Sequence, residues 1–115
     1  MRTLNDYFLT VKLANVSAAS SAYIVAPDNG KIIKIYSVLG GAISGADAGI
    51  SAKINGTAMT GGTITVAYSG SAAGDVDTCE PTGANNVEQD GYIAIATDGA
   101  STGTHSLHYT IVIRR

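Results

Sequence analysis

One short stretch of the sequence has the residue types of a hydrolytic site. Gly99 to Gly103 reads G-A-S-T-G, which fits the nucleophile-elbow pattern G-x-S-x-G, and His105 follows closely. Such an elbow works because a strained strand-to-helix turn exposes the serine, while the helix N-terminus helps to stabilise an oxyanion. No helical pattern follows Gly103, and the chain is rich in glycine and serine. We therefore interpret the match as a turn between two strands and expect no catalytic residue.

The two histidines could begin a metal site only on a helix. His105 and His108 are three residues apart, which would place them on one helical face. Side chains alternate with a period of two along a strand, so on a strand these two point to opposite faces. They are then unable to bind one ion together.

Acidic and small residues after position 68 raise two further possibilities. Ser69 to Thr78 reads SGSAAGDVDT, which lacks the lysine and the following helix of a phosphate-binding loop. Calcium could be held only by Asp75, Asp77 and Glu80, and the rest of an EF-hand loop is missing. We expect no metal and no cofactor here. We interpret Ser69 to Asp90 as a long acidic loop that contacts a subunit or another protein.

Charge and composition exclude several classes of function. Ala46 to Asp98 contains seven acidic residues against Lys53 alone, so there is no basic stripe for a nucleic acid. No apolar stretch approaches the roughly 20 residues that span a bilayer, which predicts no membrane partner. The single cysteine, Cys79, excludes an internal disulfide and is expected to be an inert thiol. With no secretory signal in view, we expect a soluble product made in a cytoplasm.

The balance of residue types favours β-structure throughout. Ile and Val together number 20, against 5 Leu, and Thr adds 12. β-Branched side chains lose rotamer freedom in helices and pack well on a pleated sheet. Four Asn-Gly or Asp-Gly pairs, ending at Gly30, Gly56, Gly91 and Gly99, are typical of tight turns.

Alternation of apolar and polar residues predicts about eight short strands and no significant helix. We expect one small antiparallel β-sandwich or jelly roll at residues 7–115, preceded by a flexible N-terminal arm at residues 1–6. The predicted strands are Tyr7 to Ala14, Ala22 to Ala26, Lys31 to Leu39, Ala48 to Ile54, Thr57 to Thr60, Thr63 to Tyr68, Gly91 to Thr97 and Thr104 to Ile113. Gly61-Gly62 is expected to break the fifth from the sixth.

The chain from Ala22 to Ile113 resembles a family of small virion proteins. The blocks YIVAPDNGKIIKIYSVL, GADAGISAKINGTAMTGGTITVAYSGSAAGDVD and GYIAIATDGASTGTHSLHYTIVIRR follow one another in this order. Their composition and order are similar to those of the capsid decoration, or cement, proteins of tailed bacteriophages. The resemblance rests on block order and composition and includes no signature of chemical residues.

The resemblance implies a jelly roll that binds the outer surface of an icosahedral phage head as a homotrimer. Its partner would be the major capsid protein, and its location the capsid surface of the virion, after synthesis in the host bacterial cytoplasm. We expect the arm and the two C-terminal arginines to touch the shell, namely Arg2, Thr3, Leu4, Asn5, Asp6, Arg114 and Arg115.

An alternative is a glycan- or receptor-binding module of a fibre or adhesin, because β-sandwiches readily host such sites. That function needs an exposed aromatic side chain beside polar groups. The chain has six tyrosines and no tryptophan, and we expect the tyrosines to serve mainly in core and rim packing.

Overall fold

In the computed structural model, which describes residues 6–115, the chain forms a sandwich of two antiparallel sheets without a helix in that range. The strands are β1 (Asp6–Leu13), β2 (Ser20–Val25), β3 (Gly30–Leu39), β4 (Ala48–Ile54), β5 (Thr57–Val66), β6 (Val76–Cys79), β7 (Asn86–Val87), β8 (Tyr92–Thr97) and β9 (Leu107–Arg114). One sheet has the order β1-β9-β3-β6, with β7 also pairing with β3. The other has the order β2-β8-β4-β5. The all-β sandwich predicted from composition is confirmed.

Alternation of side chains builds the core between the sheets. The first sheet contributes isoleucines such as Ile35 and Ile111, and the second contributes Ile50, Ile93 and Ile95. All five are fully buried, whereas their neighbours along each strand lie on the outer faces. Ile and Val dominate this core because branched side chains fill the space between two pleated surfaces.

The Asn55-Gly56 pair forms the hairpin turn that its sequence predicts. β4 ends at Ile54 and β5 begins at Thr57, so these two residues are the whole loop. Both have positive φ, 50° at Asn55 and 87° at Gly56. A two-residue turn of this kind matches the twist of the strands and requires two residues that tolerate a left-handed backbone.

The predicted break at Gly61-Gly62 is wrong, because β5 runs through it as one strand with a bulge. The register steps from Ser51↔Thr63 to Lys53↔Ala58, so residues 59–62 lie opposite Ala52 alone. The bulge turns Met59 into the core, where it is 5 % exposed, and Gly61 supplies a φ of 76°. Glycine here bends the strand without ending it.

Residues 69–90, predicted as a loop without strands, are built into the first sheet. β6 pairs with β3 from Ile35↔Cys79 to Val38↔Val76, and β7 pairs with the start of β3. Between them the buried Asn85 donates from Nδ2 to the carbonyl oxygen of Ile32 at 2.6 Å and to that of Pro81 at 3.2 Å. The segment is thus held by hydrogen bonds and by the core residue Val87, although few of its side chains are large and apolar.

The side of the sandwich formed by β5 and β6 is closed by backbone hydrogen bonds. The amide of Thr60, on the β5 bulge, donates to the carbonyl oxygen of Gly83 at 2.8 Å, and the amide of Thr82 donates to that of Thr60 at 2.8 Å. The other side, formed by β1 and β2, has no such bonds between the two strands.

Candidate docking surface

The chain enters β1 and leaves β9 at the same end of the first sheet. Asp6 is directly opposite Arg114 in the register of β1 and β9. Antiparallel pairing of the first and last strands is what brings them together. Asp6, which the sequence placed in the arm, is the first residue of β1, and residues 1–5 lie outside the described range. The predicted contacts Arg2, Thr3, Leu4 and Asn5 therefore stay predictions.

Two ion pairs organise this end. The guanidinium of Arg114 donates from Nε to Oδ1 of Asp6 at 2.9 Å and from Nη2 to Oδ2 at 3.2 Å. Arg115 donates from Nη1 to Oδ2 of Asp28 at 3.1 Å, and its guanidinium carbon lies 5.7 Å from the centre of the Tyr7 ring. Three predicted contact residues, Asp6, Arg114 and Arg115, are thus gathered in one place.

The pKa values of these groups reflect the contacts. The backbone N–H of Asn29, and after it the Arg115 guanidinium, lower the pKa of Asp28. The hydrogen bond and charge of Asp6 raise the pKa of Arg114. Burial raises the pKa of Tyr7, whose hydroxyl donates to the carbonyl oxygen of Asp28 at 2.7 Å. Charged forms are therefore favoured at the ion pairs.

A groove of about 620 Å³ opens beside these ion pairs. Its walls carry charged and polar side chains, including Asp28, Lys31, Asn86, Glu88, Arg114 and Arg115. We call this surface the terminal groove. The mixture of both signs, together with apolar lining from residues such as Val87, suits an extended protein segment better than a uniformly charged polymer.

Hydrogen bonds of side-chain and backbone groups at and next to the terminal groove hold its walls in place. Asn29 accepts a hydrogen bond at Oδ1 from the amide of Gln89 at 2.7 Å, and the amide of Asp90 donates to the carbonyl oxygen of Ala26 at 2.9 Å. A side chain at Gly30 would collide with Cγ2 of Ile113, so glycine lets the two strands approach closely there. A firm groove costs less ordering on binding than a mobile one.

The three weak metal candidates do not form a cluster. Asp75 and Asp77 share one side of the chain around β6, and Glu80 is exposed on the other. Within residues 6–115 no three His, Cys, Asp or Glu side chains come close enough to hold an ion. Asp75 instead accepts a hydrogen bond from the amide of Ala72 at 2.9 Å, which shapes the turn.

The pKa of Asp77 is raised by partial burial and, secondarily, by the charge of Asp75. A carboxyl whose pKa is higher in the folded than in the unfolded protein contributes its full stabilisation below the unfolded-state pKa, where it is protonated in both states. This contribution is lost as the pH rises through the folded-state pKa, because the partly buried group must then carry a charge. Asp77→Asn is therefore expected to raise the Tm at pH 7 and to leave it nearly unchanged at pH 3. Thermal unfolding at the two pH values checks this. An equal change at both would show that titration of Asp77 does not matter.

The other sequence candidates occupy structural positions. Ser101 is buried, and its Oγ lies 2.8 Å from Oγ of Ser17, so it is no exposed nucleophile. His105 precedes β9 and packs beside Gly41, whereas His108 is exposed on the outer face of the first sheet. Cys79 is half-buried on β6, and burial raises the pKa of its thiol.

A second exposed feature, a tyrosine pair, was missed at the sequence level. Tyr23 on β2 and Tyr92 on β8 are 68 % and 41 % exposed, with ring centres 6.0 Å apart and planes at 63°. They share the outer face of the second sheet with the exposed Lys53 of β4, because Lys53 and Tyr23 both lie opposite Ala94. The alternation within AYIVA and GYIAIAT contained this signal, since Tyr23 and Tyr92 fall on the outward positions.

Comparison with known proteins identifies the fold alone. No family model matches the sequence, and no curated protein matches it significantly. A structure of the acid-stable capsid of Helicobacter pylori bacteriophage KHP30 includes a chain that is similar with a TM-score of 0.64 and 8% identity, over 96% of this chain and 87% of that one.

Carbohydrate-binding modules have the same architecture. CsCBM6-3 from Clostridium stercorarium, in complex with cellobiose, is similar with a TM-score of 0.59 and 13% identity, over 99% of this chain and 86% of that one. A glycoside hydrolase family 43 arabinoxylan arabinofuranohydrolase from Bacillus subtilis matches with a TM-score of 0.59 and 11% identity, but only over 23% of its own length. The property that this chain shares with the capsid chain and with these modules is a β-sandwich of the jelly-roll class.

No helix among residues 6–115 could span a membrane.

Proposed function

We propose that the protein is a structural component of a phage virion that binds the outer surface of the head as a homotrimer. Its partner is the major capsid protein, whose neighbouring copies it holds together. The observation that carries the proposal is the terminal groove, where Asp6, Arg114 and Arg115 meet beside a cleft that combines charged groups with apolar surface. The end-to-end similarity to a capsid chain and the family resemblance of the sequence support it.

The terminal groove offers what such docking needs. Arginine binds carboxylates and carbonyl oxygens through a planar set of donors, so Arg114 and Arg115 suit an exposed segment of a shell protein. Each contact at a polar surface is weak, but three grooves on one trimer bind a lattice by multivalency. The head is then stabilised without any chemical step.

Sedimentation of the purified protein with expanded phage heads that lack it tests this proposal. Saturable binding with a fixed number of copies per head supports it, and heads carrying the protein should withstand more heat or denaturant. Folded protein that stays in the supernatant at every concentration would contradict it.

A glycan-binding module is the second candidate, and the Tyr23–Tyr92 pair favours it. Sugars stack on exposed aromatic rings beside polar groups, and Lys53 lies on the same face. Under this function Tyr23→Ala is expected to lower glycan affinity at least about fivefold, because a stacking ring contributes on the order of 1 kcal/mol or more.

The control for this second function is Tyr68→Ala, which removes an exposed tyrosine elsewhere. Titration against a glycan array with both variants decides the matter. If the wild type binds no glycan, or if both variants lose affinity equally, the tyrosine pair is no sugar site.

A further inference from the structure

The side of the sandwich formed by β1 and β2 leaves part of the core uncovered. Leu9 and Val11 on β1, and Ala22 and Ile24 on β2, point inward but are only partly buried. Inward positions on β5, the other edge strand of the second sheet, are buried at Ile64 and Val66. We call the four partly buried residues the open seam. Apolar surface left accessible in this way favours a partner that covers it.

The backbone of β2 is ready to accept another strand. β2 pairs with β8 only, and no strand within residues 6–115 pairs with its other edge. Val25 is opposite Tyr92, whose N–H and C=O are bonded to Asn55 on the far side. In an antiparallel ladder the groups of such a pair point away from each other, so those of Val25 point outward. By the same alternation so do those of Tyr23 and Ser21.

β2 also lacks the features that usually prevent an exposed edge strand from pairing with another chain. Residues 14–26, ANVSAASSAYIVA, contain no charged side chain, and β2 has no bulge in its pairing with β8. Its outward side chains include Tyr23 and Val25, which are 68 % and 56 % exposed. Soluble monomers usually protect an edge of this length with lysine, proline or a bulge. None of these lies within Ser20–Val25, although Pro27 follows two residues later, so the paired length of β2 favours a partner strand.

From these features we infer that the open seam and the edge of β2 form the contact between copies of this chain. The edge of β2 carries no charge with which a charged partner could pair, and it fits the same uncharged edge of a second copy across a twofold axis. The seam involves one outermost strand from each sheet, and packed sheets lie about 10 Å apart. A second sandwich presents two layers with this same spacing and covers both, whereas a single extended peptide covers one.

This inference rests on the proposed function and goes beyond its trimer, because an edge that meets the same edge of another copy makes a twofold contact and joins copies in pairs. Two seams facing each other across a twofold axis would bury Leu9, Val11, Ala22 and Ile24 of each copy. The terminal groove, which is built from the β1–β9 end, β3 and β7, would remain available for the shell. Self-association and shell binding then use different surfaces.

The test places charges on the edge without touching the core. Ser21→Lys with Val25→Lys puts two lysines on exposed positions that flank Tyr23. The matched control is Thr63→Lys with Thr65→Lys, at two exposed positions on β5, the opposite edge of the same sheet. Far-ultraviolet circular dichroism and thermal unfolding confirm that both variants are folded.

Light scattering after size-exclusion chromatography measures the mass of each form over a range up to about 100 µM, a concentration that detects even weak association. We expect the wild type and the β5 control to be oligomers of one defined size. The β2 variant should have half the mass of the wild type, or pair at least about tenfold more weakly.

A wild type that is monomeric throughout, or a β2 variant with the mass of the wild type, would overturn the inference. So would an equal loss of association in the β5 control. Sedimentation with phage heads is a separate readout. If self-association fails while shell binding is intact, the seam contact is wrong. If shell binding fails while self-association is intact, the proposed function is wrong.

Discussion

Replacing Arg114 and Arg115 together by glutamate is expected to weaken binding to phage heads on the order of 100-fold, because loss of one partner of a buried, hydrogen-bonded charge pair costs about 2–5 kcal/mol. The change removes the two guanidinium groups that border the terminal groove. It also places carboxylates beside Asp6 and Asp28, which now accept hydrogen bonds from those arginines. Sedimentation of the variant with heads that lack the protein gives the apparent Kd.

A control of equal charge separates this effect from long-range electrostatics. Lys12→Glu with Lys53→Glu changes the net charge by the same amount at two exposed positions outside the terminal groove. We expect this variant to bind heads within a few-fold of the wild type at physiological salt, where charges more than about 8 Å apart are largely screened. Equal losses in both variants would show that only overall charge matters and that the groove does not dock.

The largest effect on stability is expected at Asn85. Asn85→Leu keeps the side-chain size but leaves the carbonyl oxygens of Ile32 and Pro81 without the donor that Nδ2 supplies. Each buried polar group without a partner costs about 1–3 kcal/mol, so the free energy of unfolding should fall by about 3 kcal/mol. Urea unfolding followed by circular dichroism measures it.

Asn86→Leu is the matched control, since Asn86 is the next residue and is exposed. A substitution at such a surface position usually changes stability by about 0.5 kcal/mol or less. Because β7 forms one wall of the terminal groove, Asn85→Leu should also weaken head binding at temperatures near its Tm. If the two variants were equally stable, Asn85 would not be what holds residues 81–87 against β3.

The sequence predicts those parts of the fold that depend on local alternation. The strong runs around Ile35, Ile50 and Ile95 give strands at nearly the predicted bounds, because inward and outward positions differ in character along each of them. The Asn55-Gly56 hairpin was also foreseen, since few residue pairs tolerate two successive positive φ values.

Features that depend on distant partners were not foreseeable. β6 and β7 have too few large apolar residues to be identified as strands, and only their pairing with β3 makes them so. The bulge at Met59 and Gly61 is stabilised by hydrogen bonds from residues more than 20 positions away, Thr82 and Gly83. Glycine pairs look alike in a break and in a bulge until the partner strand is known.

The candidate site shows the same division. Arg114 and Arg115 could be identified as contact candidates from their position and charge in the sequence. The ion pairs with Asp6 and Asp28 and the groove beside them required the pairing of the first strand with the last. The tyrosine pair was within reach of the sequence, since alternation alone places Tyr23 and Tyr92 on outward positions, but their proximity depended on the β2–β8 register.

A cryo-electron microscopy reconstruction of heads saturated with the purified protein tests the central claim most directly. We predict density for the β-sandwich at symmetry-related positions on the outer surface, with Asp28, Arg114 and Arg115 facing the major capsid protein. Heads that show no added density although the protein is folded and in excess would contradict the account. So would sandwiches attached with the terminal groove turned away from the shell.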